Sequence, residues 1–370
     1  MADTAIEWAS KVWNPVVGCS VISPGCKNCY AMRMASRLEA MASKPDGTGN
    51  FHLDHYIGTV EPSRAGPVWT GRVNVAPDDT FLAPLRRKKP TDYFVNSMSD
   101  LFHPEVPFEV VDRVFAIMAL TPQHTYKILT KRSARMREYL TGRHRNPQGW
   151  PAEDYDAQTC IRLSMNGLLG GKTNELGCPD IGYFLKSGIA DRYGEADKRL
   201  FHNWPLSNVW LGVSVEDQKR ADERIPDLLA TPAAVRWISA EPLLEEVLFD
   251  PCDLARIDWV VAGGENGPRP MHPDWARSLR DQCAVAGGVP FFFKQNGTWD
   301  TVFDRDRDDP DWRDCSRWQH EYPKGRWLNM EGGTGFHGDR VIYVTPVGKQ
   351  KAGRLLDGIE HNAMPEARHG

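Results

Sequence analysis

The feature that most constrains the fold is a regular alternation of short apolar segments with amphipathic helical patterns. The short segments are rich in β-branched and aromatic residues, and the longer ones carry apolar residues three and four positions apart. This order predicts parallel βα units, because neighbouring parallel strands need a crossover connection. The predicted strands are Tyr93–Asn96, Tyr126–Thr130, Val209–Val215, Val235–Ser239, Ile257–Ala262 and Pro290–Lys294, and the predicted helices are Phe108–Leu120, Ser133–Leu140, Asp217–Ala230 and Asp274–Ala286.

The distribution of polar residues favours a barrel among the folds built from such units. Strands that are nearly continuous in apolar residues suit any parallel sheet covered on its faces, so they do not separate a barrel from an open sheet. Polar stretches follow the strands directly, as in NSMSD, SVED, SAEP, GGENG and KQNG. Active sites of βα barrels gather at this edge. We therefore predict an α/β protein with a partial (βα) barrel of parallel strands.

Two segments interrupt the alternation and are interpreted as additions to the barrel. Residues 141–206 are rich in Gly, Pro, Asn and Trp and stand where a short connection is expected, so they are predicted to be an insertion. Residues 298–370 begin with a run of aspartates and are predicted to form a C-terminal accessory region. The barrel itself is then assigned to residues 1–297.

The composition narrows the class of protein. The 370 residues are 41% hydrophobic and 25% charged, and no stretch approaches the roughly 20 apolar residues of a membrane span. The first residues do not resemble a secretion signal, so we expect a cytoplasmic protein without a membrane role. Eight cysteines are too sparse for a disulfide framework, which directs attention to metal binding. A net charge of −4 argues against a globally basic nucleic-acid binder but leaves room for a local basic groove.

Three cysteines are concentrated in WNPVVGCSVISPGCKNCYA, just ahead of a predicted helix over residues 30–43. The tetrapeptide Ser23–Cys26 fits a tight turn that folds the gap between Cys19 and Cys26 back on itself. A four-iron cluster held by four thiolates is closed, whereas one held by three leaves an iron open to a ligand. The motif therefore predicts a metal centre on Cys19, Cys26 and Cys29.

A three-cysteine loop ahead of a helix and a run of βα units resembles the radical S-adenosylmethionine (SAM) superfamily. The strings WNPVVGC, SPGCKNCYA, FVNSMSDLFHP, AGGENG and GKQKAGRLLDG resemble a family of phage-encoded, radical-SAM-like proteins and span nearly the whole chain. The resemblance implies a [4Fe-4S] cluster on the three cysteines and reductive cleavage of SAM to a 5′-deoxyadenosyl radical. It also implies an electron donor of the flavodoxin or ferredoxin type and a partner protein with a three-cysteine motif, in the cytoplasm of the host cell. The gaps of six and two residues between the cysteines depart from the shorter first gap of the superfamily.

Polar residues at the ends of the predicted strands are the candidates for holding SAM. Such side chains can bind an amino group or ribose hydroxyls, although several would equally well cap the following helix. Gly263-Gly264-Glu265 resembles the superfamily motif that holds the methionine amino group, and Tyr30 would cover the adenine or the cluster. The candidate SAM-binding residues are Tyr30, Asn96, Ser97, Asp100, Ser214, Glu216, Glu241, Gly263, Gly264 and Glu265.

Lys294 and Gln295 close the last predicted strand and are candidates for contact with the substrate. Alternatively, Lys294 pairs with Glu265, which would satisfy both charges without a ligand. No catalytic residue for the substrate step is identified from the sequence.

The leading substrate hypothesis is a nucleobase or nucleic acid. A basic tract from Lys127 to Arg145 could follow phosphates, and Trp150 and Trp204 in the insertion could stack on bases. The alternative for the tract is a solvated helix face.

Two other functional classes remain open at this stage. A zinc-stabilised module that binds nucleic acid or protein would use Cys26 and Cys29 together with Cys160 and Cys178. A cluster protein that does not use SAM would transfer electrons to a partner.

Overall fold

The centre of the computed structural model is a seven-stranded, all-parallel sheet curled into a half-barrel, which confirms the predicted partial (βα) barrel. The structure describes residues 4, 6–44, 47–144, 155–168, 204–308 and 315–366. Along the sheet the strands stand in chain order, and each pairs in parallel with the next. They are β1 (Lys11–Trp13), β2 (Asp92–Val95), β3 (Thr125–Thr130), β4 (Val209–Ser214), β5 (Val235–Ala240), β6 (Trp259–Gly263) and β7 (Phe291–Gln295).

Amphipathic helices pack on the sheet and form the main core with it. Within this core, Tyr126 and Ile128 of β3 belong to the same buried cluster as Phe115 of the preceding helix. No helix in the described ranges is long and apolar enough to cross a membrane. The helices are α1 (Tyr30–Met41), α2 (Phe108–Leu120), α3 (Ser133–Thr141), α4 (Ala157–Leu168), α5 (Gln218–Ala230) and α6 (Pro273–Val285).

The predicted elements agree closely with the observed ones. Six of the seven sheet strands and the helices that separate them begin and end within two residues of the predicted positions. The strand that was not predicted is β1, whose sequence Lys-Val-Trp is too short to show an alternating pattern.

The amino-terminal half of the concave face is filled by a cluster that we call the aromatic floor. Trp8, which precedes β1, lies with its ring centroid 5.3 Å from that of Trp237, and its carbonyl accepts a 2.8 Å hydrogen bond from the buried Lys127. The half-barrel is thereby packed at its amino end, so a ligand would bind at the other end. The aromatic floor consists of Trp8, Ala9, Phe94, Trp210, Val235, Trp237, Trp259, Val261 and Phe292.

The predicted accessory region is a small antiparallel sheet followed by a returning tail. Its strands β8 (Trp299–Asp304), β9 (Arg326–Leu328) and β10 (Ile342–Pro346) stand in the order β8-β10-β9 and have apolar clusters of their own. The chain then returns to the half-barrel, where Phe293 donates its backbone N–H to the carbonyl of His361 at 3.0 Å. The tail therefore belongs to the edge of the half-barrel.

Most of the predicted insertion lies outside the described residues, including Arg145, Trp150 and Cys178. Its described helix α4 packs against α2 and buries Ile161 and Met165 in the main core.

The remaining elements are short. The two-stranded pairs are Val16–Val17 with Asn74–Val75, Val60–Ser63 with Gly66–Trp69, and Arg143–His144 with Tyr155–Asp156. The short helices are Pro24–Cys26, Phe51–Tyr56, Asp78–Phe81, Ala83–Arg86, Pro251–Leu254, Arg305–Asp308, Cys315–Glu321 and Lys349–Ala352.

Candidate functional site at the carboxyl ends of the strands

Residues 18–29, which we call the cysteine loop, follow β1 and contact the ends of several other strands. The loop begins at Gly18, whose φ of +90° and close approach to the carbonyl of Arg72 leave no room for a side chain. The predicted turn is present as the short helix Pro24–Cys26, with the N–H of Cys26 donated to the carbonyl of Ser23 at 3.0 Å. Cys29 then directly precedes α1.

The three cysteines of the loop are free thiols that lie near one another. Cys26 is buried, and Cys19 and Cys29 are partly exposed. Burial is the main reason that the pKa of Cys19 is raised to about 12 and that of Cys29 is also raised, and the neighbouring Cys26 adds to both effects. Among the residues that the structure describes, no group of three His, Cys, Asp or Glu side chains is arranged to hold a metal ion. The thiols match an open iron–sulfur cluster in the number and kind of donor atoms.

Arg132, at the end of β3, places a guanidinium group against the first cysteine. One of its nitrogens lies 3.7 Å from the sulfur of Cys19 and 2.9 Å from Asp100, and another donates to Ser20 at 2.7 Å. Asp100 also accepts hydrogen bonds from the Thr130 hydroxyl and the Lys131 N–H. Both oxygens of this predicted SAM ligand are thus engaged in joining the loop after β2 to the end of β3.

Glu216, another predicted SAM ligand, lies completely buried beneath the cysteine loop. Its carboxylate is 3.0 Å from the Lys131 ammonium and 2.9 Å from the Arg224 guanidinium, and it accepts the backbone N–H of Gly25 at 3.4 Å. Burial by itself raises the pKa of Glu216, but Lys131 and Arg224 outweigh burial and lower it to about 2. The neighbouring Ser214 accepts from Arg224 through its carbonyl at 2.7 Å. Glu216 is therefore a fixed anion.

Glu241 and Lys294 form an ion pair across the intervening strand β6, with 3.1 Å between nitrogen and oxygen. Their side chains are 13% and 17% exposed, so the pair remains within reach of solvent. Gly263 of β6 lies between them, and a Cβ atom there would come within 2.8 Å of the Glu241 carboxylate. The expected pairing of Lys294 with Glu265 is therefore wrong, because the missing side chain at Gly263 lets Glu241 reach Lys294 instead.

Glu265 connects β6 to the cysteine loop. Its carboxylate accepts two hydrogen bonds from Arg269 and one of 2.9 Å from the side chain of Asn28. Gly264 has a packing role, because a Cβ there would lie 2.4 Å from the carbonyl of Asn296. Gln295 donates to the carbonyl of Gly264 at 3.2 Å. The contacts of the Gly-Gly-Glu segment are thus internal, and Asn28 is a site residue that sequence reasoning missed.

Tyr30 and Asn96 retain groups that could contact a ligand. Tyr30 as a residue is 53% exposed, and its hydroxyl donates to the carbonyl of Ser97 at 3.1 Å. Crowding by the surrounding protein, and then the adjacent Cys29, raise the pKa of this phenol. Asn96 is buried with a φ of 58°, and neither its side-chain oxygen nor its nitrogen has a partner in the described part of the chain. Buried polar groups are rarely left unpaired, so the Asn96 amide has hydrogen-bonding capacity that a ligand could use.

The basic tract is largely paired within the protein. Lys131 and Arg132 bind the carboxylates described above, and Lys127 is buried against Trp8. Arg135 lies 4.2 Å over the ring of Phe108, and Arg137 is 3.0 Å from Asp227. The described part of the tract therefore offers no continuous row of free cations to a nucleic acid.

The zinc hypothesis needs two further cysteines, Cys160 and Cys178. Of these, Cys160 lies within the described residues, on a helix outside the sheet. It is buried on α4, which packs against α2, and its pKa is raised to about 12 by burial first and then by Asp112. Its surroundings are those of a buried thiol in a helix interface.

The fold and the site define a class, a parallel half-barrel protein with a cysteine loop and several ionic contacts at the carboxyl ends of its strands. The chain belongs to the family described as "protein of unknown function" (DUF5131), whose family model matches residues 3–365. No curated protein and no solved structure matches it.

Proposed function

We propose that the protein is an iron–sulfur enzyme of the radical SAM type, with Cys19, Cys26 and Cys29 as the cluster ligands. The observation that carries the proposal is the presence of three thiols on one loop at the carboxyl ends of a parallel half-barrel. Ligands of βα barrels bind at this end. When bound and reduced, a cluster with an open iron supplies the electron that cleaves SAM to a 5′-deoxyadenosyl radical.

Two positive side chains lie beside the cysteines and oppose the rise in thiol pKa that burial causes, and that Asp100 adds to at Cys19. Arg132 lies against the sulfur of Cys19, and Lys131 comes from the same strand end. Positive side chains stabilise thiolates relative to thiols. The thiolate is the form in which cysteine binds metals.

The Glu241–Lys294 pair has the polarity that a zwitterionic methionyl group requires. Glu241 would bind the ammonium of SAM and Lys294 its carboxylate, each by charge-assisted hydrogen bonds. Tyr30 lies close enough to Glu241 for the carboxylate to affect its pKa, so the ring lines the same space. The unpaired amide of Asn96 would donate to and accept from a further polar group of the ligand.

For the substrate, a single nucleobase or nucleoside is favoured over an extended nucleic acid. The basic tract is mostly paired internally, and Trp204 packs against the main core. A base-sized molecule needs no row of free cations.

The proposal includes an external electron donor of the flavodoxin or ferredoxin type and a partner with a three-cysteine motif, both in the cytoplasm of the host cell. α1 begins directly after Cys29 and presents the exposed cations Arg33 and Arg37. Such charges would steer an acidic donor toward the loop.

The direct test is anaerobic purification and cluster reconstitution, followed by iron and sulfide analysis and an assay for 5′-deoxyadenosine after addition of dithionite and SAM. We expect about four irons and formation of 5′-deoxyadenosine. Cys26→Ala should abolish both, whereas Cys283→Ala, a buried cysteine of α6, should abolish neither.

Two results would contradict the proposal. Bound zinc without iron would favour the zinc-stabilised binding module. A cluster that is inert toward SAM would favour an electron-transfer protein.

A further inference from the structure

We infer that Glu216 is a positioning residue that holds the Ser23–Cys26 turn of the cysteine loop against the carboxyl ends of the strands. The contact itself is independent of any cofactor, and its importance for metal binding rests on the proposed function. This role differs from the predicted binding of SAM.

The carboxylate is fixed from below by two cations. The side chain of Glu216 is fully buried, and one of its oxygens lies within 3.0 Å of Lys131 and 2.9 Å of Arg224. Arg224, on α5, also donates to the carbonyl of Ser214 at 2.7 Å, which anchors the guanidinium to β4. A buried ion pair with further hydrogen bonds has few alternative conformations, so the carboxylate cannot turn away.

The other carboxylate oxygen faces the cysteine loop. It accepts the N–H of Gly25 at 3.4 Å, and the Ser23 hydroxyl lies near enough to lower the pKa of the carboxylate. A Cβ atom on Gly25 would lie 3.0 Å from the carboxyl carbon and oxygen of Glu216 and 3.2 Å from the Lys131 nitrogen. The glycine is therefore what permits the loop backbone to lie directly on the carboxylate.

The turn transmits this contact to Cys26. The hydroxyl of Ser23 is 3.6 Å from the Cys26 sulfur, and its carbonyl accepts the Cys26 N–H at 3.0 Å. Glu216 thus acts on the middle cysteine through two residues that it touches. Neutralising Lys131 and Arg224 would not by itself require Glu216 to accept the N–H of Gly25. It would also not require a glycine at position 25.

The first test is hydrogen–deuterium exchange on the full chain without metal. Glu216→Ala should speed exchange in residues 23–29 by about tenfold, because a hydrogen-bonded charge is lost beneath the turn. Glu216→Gln should have a smaller effect, because its amide oxygen still accepts from Gly25.

The matched control is Asp227→Ala. Asp227 is also a buried carboxylate paired with an arginine, but it contacts Ser133 and Arg137 rather than the loop. The inference is overturned if residues 23–29 exchange at the wild-type rate in Glu216→Ala, or if α2 and α6 loosen to the same extent as the turn.

A second variant changes the loop side of the contact. It can replace Glu216→Ala if that variant does not fold. Gly25→Ala leaves the ions in place but sets a methyl group against the carboxylate. It should produce the same local increase in exchange. Wild-type exchange in this variant would contradict the close contact.

A cobalt titration of the metal-free protein then tests whether the turn positions the thiols for metal binding. The thiolate-to-cobalt absorption band should appear at about tenfold higher Co²⁺ in Glu216→Ala, with partial recovery in Glu216→Gln. Equal affinity in all three proteins would show that the turn does not position Cys26. If the wild type binds neither Co²⁺ nor iron, the proposed function fails, while the exchange experiment still decides the role of Glu216.

Discussion

The two halves of the concave face are built from the same strands but differ in chemistry. Going along β5, the side chain at Trp237 belongs to the aromatic floor, whereas Glu241, just beyond the strand, pairs with Lys294. β4 shows the same change, from Trp210 to Glu216. The strands themselves therefore provide the apolar packing, and the residues immediately after them provide the ionic groups. Apolar packing and charged groups are thus separated along one strand.

The comparison predicts that substitutions in the aromatic floor act on stability and leave the cysteine loop intact. Trp259→Ala should lower the free energy of unfolding by about 3–5 kcal/mol, because it removes a fully buried ring from a packed cluster. Urea unfolding measures this loss. Iron content after reconstitution should equal that of the wild type, and a folded variant that loses the cluster would show that the two halves are coupled.

A smaller loss of stability is expected from enlarging Gly212, a small residue against which the ring of Trp237 packs. A Cβ atom on Gly212 would lie 2.4 Å from the ring of Trp237, so Gly212→Ala forces the ring or the strand to move. Overpacking of this kind costs about 1–3 kcal/mol, which urea unfolding would detect. Gly287→Ala, at a site with open space but a φ of +100°, separates backbone strain from overpacking. A larger loss in Gly287→Ala would contradict the packing argument.

Substitutions at the carboxyl ends of the strands should have the opposite pattern. We expect a small effect on stability and a large effect on activity. Lys294→Gln leaves Glu241 without its cation, and because both side chains retain some exposure we expect a loss of only about 1–2 kcal/mol. Formation of 5′-deoxyadenosine should fall by more than about tenfold, since the lost charge would face the cofactor. Lys349→Gln, whose nitrogen is 4.0 Å from Glu7 in an exposed pair, is the control. Unchanged activity in Lys294→Gln would remove the pair from the proposed SAM site.

A pH dependence of stability is also expected at the same end. His103 is buried beside Ser20, and burial, followed by the nearby Arg132, lowers its pKa to about 4, with Arg135 in the same sense and Asp100 opposing. The unfolded chain takes up this proton near pH 6.5, so the contribution of neutral His103 is complete above about pH 6.5 and declines toward about pH 4. His103→Gln should flatten this part of the profile of unfolding free energy against pH. An unchanged slope would assign the dependence to other groups.

The sequence predicted the elements of the half-barrel much better than the contacts of the site. Strands such as β4 and β7 were predictable because continuous apolar, β-branched and aromatic runs have few alternatives in a covered parallel sheet. The three cysteines and the polar strand ends were also identified as candidates.

The contacts between these candidates could not be predicted, because they depend on how distant loops meet. Asn28 touches Glu265, and Arg132 touches Cys19, only because the curl of the sheet brings the loops after β1, β3 and β6 together. The wrong pairing of Lys294 has the same origin, since it was decided by the absence of a side chain on a neighbouring strand.

The aromatic floor also contains a contact that can form only late in the synthesis of the chain. Trp259 contacts the ring of Trp8 with centroids 6.0 Å apart and donates its indole N–H to the carbonyl of Ala363 at 2.9 Å. Residues from near both ends of the sequence therefore meet on one side chain. While the chain emerges from the ribosome, the indole N–H of Trp259 therefore lacks this partner until residue 363 has been synthesised. During that interval this one polar group of the aromatic floor has to be satisfied by water or by another chain.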